Sequence, residues 1–282
     1  MPFSNDARAE VRRLPAGEPR RVILEYLLAH GVGVQNAKSW PRIISLMYYP
    51  TVTMVLWAFL TVYLAPANRF LSDAPGFFIG AVLLWDILFR GQLGVSLSFF
   101  EELYSRNLGN LFVSPLRPWE LIVGQLVMSV LRTLIGVGGA ALCAWLLFRY
   151  SLFSLGLPLL AFALNLLITG WAIGLAVSGM VLRWGLGAEE LAWGAIFLIA
   201  PVSGVYYPIN VLPPWLQTIA HAIPSSYVFE GMRAVLLQNT FRVELFYQSL
   251  LINALYLAAG IAVYSAAIRY ARDHGLLLQM GE

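Results

Sequence analysis

Of the 282 residues, 59% are hydrophobic and 12% are charged. Soluble domains run at about 45–50% and about 25%, so the composition excludes an ordinary water-soluble domain with one buried core. The formal charge is +3 and Cys143 is the single cysteine, which excludes an internal disulfide and any cysteine-cluster metal site.

Mean hydropathy is +0.72, so lipid is the expected solvent. A helix that crosses a bilayer needs about 20 mainly apolar residues. Before the first such stretch, Arg20 and Arg21 precede the apolar run VILEYLLAHGVGV, which Glu25 and His30 interrupt. With no small-x-small cleavage signal, residues 1–42 read as a cytoplasmic tail plus an amphipathic helix on the inner membrane surface, not as a secretory leader. Its basic residues suit anionic lipid headgroups, and no nucleic-acid motif appears. Lys38 is the sole lysine. A phosphate-binding loop needs glycines at the positions held by Val32 and Ala37, because backbone N–H groups wrap the phosphate there. Any ATP used must therefore be bound by another chain.

Six spans are predicted within residues 43–272: Ile43 to Ala65; Gly76 to Phe99, with Asp86 and Arg90 inside; Trp119 to Phe148, with Arg132 inside; Phe153 to Leu182; one from near Leu191 that breaks at Pro208; and Leu245 to Ile268. Residues 273–282 read as a second cytoplasmic tail. With the N-terminus inside, Arg8, Arg12, Arg13, Arg20, Arg21, Lys38, Arg42, Arg106, Arg117, Arg183, Arg269 and Arg272 fall on the inner side. Only Arg69, Arg149, Arg233 and Arg242 fall outside. That asymmetry places both termini in the cytoplasm.

Two connections stand out. After the fifth span, Pro208, Pro213, Pro214 and Pro224 forbid one straight helix. Two short helices are expected, near Pro214 to Ala222 and from Ser225 or Ser226 to Leu237, with one of those serines as N-cap. They either dip back into the membrane over about residues 207–238 or lie on it as an exposed loop. After the second span, residues 100–114 carry Glu101, Glu102 and Arg106. Leu103, Asn107, Leu108 and Leu111 recur there at helical spacing, and Ser114-Pro115 ends the segment. An interfacial loop and a docking helix both fit these residues.

From Trp40 to Arg272 the chain resembles the membrane subunit of a type 2 ABC exporter. The resemblance rests on Glu101, Glu102, Gly109, Ser114-Pro115 and Gly124 in that order, and on SGVYYPINVLPPWLQTIAHAIPSSYVFEGMR after the fifth span. It implies an all-α bacterial inner-membrane protein with six transmembrane helices and outer re-entrant helices between spans five and six. It implies a homodimer of permease subunits joined to a cytoplasmic ATPase that holds ATP and Mg. The 100–114 segment would be the coupling helix, with Glu101, Glu102, Leu103, Arg106, Asn107, Leu108 and Leu111 at the ATPase. The exported substrate would be amphipathic, lipid-like or glycan-like. Its path would run along the second and fifth spans, past Asp86, Phe89, Arg90, Phe197 and Tyr206.

Asp86 and Arg90 share a helix face. A charge at the bilayer centre costs about 2.5–3.5 kcal/mol on insertion scales, so they line a path or form a structural pair. Depth along the two spans predicts a network in which Asp86 is shared by Arg90 and Arg132. Asn165 is expected to bond a neighbouring helix, and Gly170, Gly174 and Ser178 to pack closely against one. No catalytic motif or metal-ligand spacing is present, so the chain reads as a transport subunit and not an enzyme. The alternative is a non-transporting membrane scaffold that recruits a cytoplasmic partner.

Overall fold

The computed structural model describes residues 40–64, 77–104, 118–149 and 156–274. The predicted N-terminal interfacial helix, the C-terminal tail and the candidate docking residues Arg106, Asn107, Leu108 and Leu111 lie outside them. Secondary structure among the described residues is helical throughout: α1 (Trp40–Leu64), α2 (Phe77–Tyr104), α3 (Pro118–Phe148), α4 (Leu157–Trp184), α5 (Glu190–Ile199), α6 (Pro214–Ala222), α7 (Pro224–Gln238) and α8 (Val243–Asp273).

The polarity of the packing is that of a protein in lipid. Gln92, Ser96, Gln125, Ser129, Asn165, Thr169 and Ser178 are buried, whereas Leu251 and Leu255 on α8 are 69% and 67% exposed. The helices α2, α3, α4 and α8 are long and apolar enough to cross a membrane. The 25-residue α1, at about 1.5 Å per residue, also has the length.

The fifth predicted span differs. The helix α5 has 10 residues, about 15 Å, half of a roughly 30 Å hydrocarbon core. It tightens into a 3-10 turn at Ala200–Val202, where Pro201 interrupts the α-helical hydrogen bonds. The chain then reverses through Gly204, whose φ of +66° is in the left-handed region that glycine enters without a Cβ penalty.

The core is assembled on α4. One face meets α2, where a Cβ on Gly170 would lie 2.6 Å from the Leu88 carbonyl oxygen and one on Gly174 would lie 2.7 Å from that of Gln92. The small-residue stripe therefore brings two helix backbones together, as expected of such a stripe in lipid. The opposite side meets α8. Asn165 is the hub there: Thr169 Oγ1 donates to Asn253 Oδ1 at 2.8 Å, and Asn253 Nδ2 donates to the Asn165 side chain and to its backbone oxygen. Ser249 Oγ lies 2.8 Å from both Asn165 Oδ1 and the Pro224 carbonyl, so the start of α7 is tied into the same network.

The two short helices after α5 occur near the expected bounds, but the N-cap does not. Pro224 opens α7 behind Ile223, and no side chain caps it. Proline suits the first helical position because its missing N–H would have been unpaired there. The serines bond elsewhere: Ser225 Oγ meets Ser203 Oγ at 3.1 Å, and Ser226 Oγ donates to the Val202 carbonyl at 3.2 Å. Both stitch α7 to the turn after α5.

A cavity between α1, α2, α3 and α5

Arg90, Gly94 and Leu97 of α2 lie three or four residues apart and so share one helix face. Beside them opens a cavity of about 410 Å³. Its walls are Phe89, Leu93, Gly94 and Leu97 of α2, Tyr49 of α1, and Trp193 and Phe197 of α5. Its charged lining residues are Arg90 and Arg132.

Three contacts set this shape. Phe89 is the central ring, with centroids 6.2 Å from Tyr49, 6.2 Å from Trp193 and 6.4 Å from Phe197. Gln92 Nε2 donates to the Ala192 carbonyl at 2.8 Å, which pins α5 to α2 and aims Trp193 and Phe197 at the cavity. Ser129 Oγ donates to the Gly91 carbonyl at 2.8 Å, and Gly94 leaves no room there for a Cβ, which would sit 2.7 Å from Ser129. At the far end of α5, the Tyr104 hydroxyl donates to the Glu189 carboxylate. This joins the last turn of α2 to the start of α5.

The ionisable side chains pair differently from the sequence expectation. Arg90 Nε donates to Asp86 Oδ2 at 2.5 Å. Arg132 does not share Asp86; its Nη2 donates to Glu101 Oε2 at 2.7 Å. The physical reason is charge balance. One carboxylate between two guanidiniums would leave a net positive charge in apolar surroundings, whereas two carboxylates give each arginine a partner. The long Arg132 stem lets its head run along the helix surface to reach Glu101.

Gly136 of α3 makes room for Arg90. A Cβ at that position would collide with the Arg90 guanidinium. Nothing in the spacing of Gly136 from its neighbours marks that role, because it depends on how α2 and α3 are juxtaposed.

Of the predicted path residues, Phe89, Arg90 and Phe197 line the cavity. Asp86 is 6% exposed and stands behind Arg90. Tyr206 is not in the wall; its ring stacks on Trp57 with centroids 4.4 Å apart. Trp193 and Tyr49 were missed. Trp193 lies four residues before Phe197, and that shared face was the available signal. Glu101, Glu102 and Leu103 are not part of a separate short helix: they form the last turn of α2, and Leu103 is buried against Phe99 and Phe100 in the core. Leu103 is thus committed to packing and not free to anchor a partner.

The segment after α5 carries a second ionic cluster. Glu230 Oε1 accepts from the Ile209 backbone N–H at 2.9 Å and from Arg233 Nη1 at 2.8 Å. Arg233 Nη2 donates to the carbonyls of Gly204 and Tyr207. Those backbone groups lie in an irregular turn, and the pair satisfies them where water would otherwise be needed. Among the described residues, no group of His, Cys, Asp and Glu is arranged to hold a metal.

A search of curated proteins returned no match. The family model for ABC-2 type transporters matches residues 32–237, well over half of the chain. The chain is thus a multi-pass membrane permease of the ABC-2 type transporter family.

Proposed function

We propose that this permease exports an amphipathic, lipid-like or glycan-like substrate, driven by a separate cytoplasmic ATPase that carries ATP and Mg. The cavity between α2, α3 and α5 carries the reading: it joins apolar aromatic walls to two guanidiniums, a lining that suits an amphiphile. Two copies of the chain form the pathway in the bacterial inner membrane, each with six spans and both termini in the cytoplasm. In this arrangement α1, α2, α3, α4 and α8 cross fully. The short α5, completed by the turn at Pro208, serves as the fifth span, and α6 and α7 dip back from the outside.

The ATPase meets the segment after α2, through Arg106, Asn107, Leu108 and Leu111. Motion enters the cavity by two routes supported by geometry. The last turn of α2 bonds Glu189 through Tyr104, and Gln92 holds the backbone of α5. A push on the segment after Tyr104 is therefore felt by the helix that carries Trp193 and Phe197.

The test is co-purification with the ATPase and stimulation of its turnover. Leu108→Asp with Leu111→Asp should release the ATPase while the permease retains its melting temperature. A chain that binds the ATPase yet leaves its turnover unchanged in every lipid tested would be a scaffold and not a transporter.

A further inference from the structure

Arg90 and Arg132 are 9% and 8% exposed, yet each keeps donors that no described residue uses. Asp86 takes the Nε of Arg90, and among the described residues the two terminal nitrogens of Arg90 have no hydrogen-bond partner. Glu101 takes Nη2 of Arg132 and leaves its Nε and Nη1 in the same condition. Neither carboxylate lines the cavity, whereas both arginines do. The cavity therefore presents N–H donors and positive charge, with no anionic side chain in its wall among the described residues. These nitrogens open onto the cavity instead of being sealed in protein, so a ligand there can reach them. Gly136 gives the Arg90 head its room at that wall.

Planar guanidinium donors match the oxygens of phosphate, and charge-assisted bonds of this kind are the strong ones. The remaining wall is apolar, from Phe89, Trp193 and Phe197. A volume of about 410 Å³ lies within the roughly 300–1,000 Å³ of small-molecule sites. It holds a headgroup and the first carbons or ring attached to it, not a polymer.

We infer that this cavity binds the phosphate group of an amphipathic substrate, with Arg90 and Arg132 as its donors and Trp193 and Phe197 against the adjoining apolar part. The inference rests on the permease reading and narrows its substrate to a phosphate-bearing amphiphile. Asp86 and Glu101 hold the two guanidiniums through Arg90 Nε and Arg132 Nη2, which leaves the other nitrogens for the ligand.

The full-length chain in phosphatidylcholine nanodiscs, titrated with radiolabelled dodecyl phosphate, tests this. Saturable binding above that of empty nanodiscs is expected. Two charge-neutral variants, Asp86→Asn with Arg90→Gln and Glu101→Gln with Arg132→Gln, should each weaken it about tenfold, the effect of losing one charge-assisted bond. Gly136→Leu keeps all four charges and evicts the Arg90 head, so it should weaken binding even if a neutral pair fails to fold. Dodecyl maltoside, neutral and of equal chain length, should compete poorly. Absent saturable binding, affinity unchanged in the folded variants, or equal competition by dodecyl maltoside would overturn the inference. Displacement by inorganic phosphate as effective as that by dodecyl phosphate would assign the site to a free anion and overturn the amphiphile. ATPase co-purification, measured in parallel, is independent: its absence with phosphate binding intact would fault the ATPase-driven export reading alone.

Discussion

Asp86 and Arg90 illustrate how a membrane interior handles charge at the scale of single residues. They sit one helical turn apart and are both buried, so each is the local remedy for the other. Removing one partner of a buried pair costs about 3–5 kcal/mol, because the other charge is left alone. Asp86→Asn should therefore be strongly destabilising, and adding Arg90→Gln should recover much of the loss. Adding Arg132→Gln instead should give an additive loss, since Arg132 is paired with Glu101. Glu101 is partly exposed, so water weakens that second pair and its own cycle should show smaller coupling. Thermal unfolding in detergent measures all three. A strong coupling between Asp86 and Arg132 would refute the pairing described here.

Helices in lipid gain little from apolar contact with one another, since lipid tails are equally apolar; packing and hydrogen bonds decide. At the scale of elements, Gly170 and Gly138 make a controlled comparison. A Cβ on Gly170 meets the backbone of α2, whereas one on Gly138 meets nothing within 4 Å. Gly170→Ala should force α2 and α4 apart and cost about 1–3 kcal/mol, the range for overpacking. Gly138→Ala should be neutral or stabilising by about 0.5–1 kcal/mol, because alanine is the better helix former. The melting temperatures of the two variants should move in opposite directions or differ clearly. The α6–α7 hairpin depends on a polar lock instead. Arg233→Gln removes the ion pair to Glu230 and leaves carbonyls of the turn after α5 without their donor. Hydrogen exchange over residues 203–212 should speed up at least tenfold, while exchange in α4 stays unchanged. Unaltered protection in that turn would show that the serine stitches of α7 suffice without the arginine.

At the scale of the whole molecule, the topology is fixed by which side α6 faces. Thr218 is exposed on α6, and Ala234 is 4% exposed on α7. With Cys143 replaced, a cysteine at Thr218 should react with an impermeant reagent from outside intact cells. A cysteine at Ala234 should react slowly from either side. Reaction of the Thr218 variant only after the membrane is opened would invert the orientation drawn from the arginines. The large apolar side chains left exposed on α1 and α8, such as Tyr63 at 78% and Leu251, give this molecule broad surfaces suited to lipid or to a second copy.

The sequence by itself determined which segments are helical and where most of them stop. Long uncharged runs, prolines at 201, 208, 213, 214 and 224, and the four-residue spacing of Asp86 and Arg90 are local signals, and local signals are read from neighbours in the chain. It also carried the family, through the order of its motifs. Tertiary structure decided what depends on residues far apart in the chain. Arg132 pairs with Glu101 and not Asp86, whose carboxylate is taken by Arg90. Leu103 became core because α2 continued one turn further than the charged segment suggested. Trp193 joined the cavity because Gln92 of α2 holds α5 by its backbone. Gly136 acquired a role only when Arg90 lay across it. In each case the deciding quantity was a distance between helices, and no spacing along one helix encodes that distance.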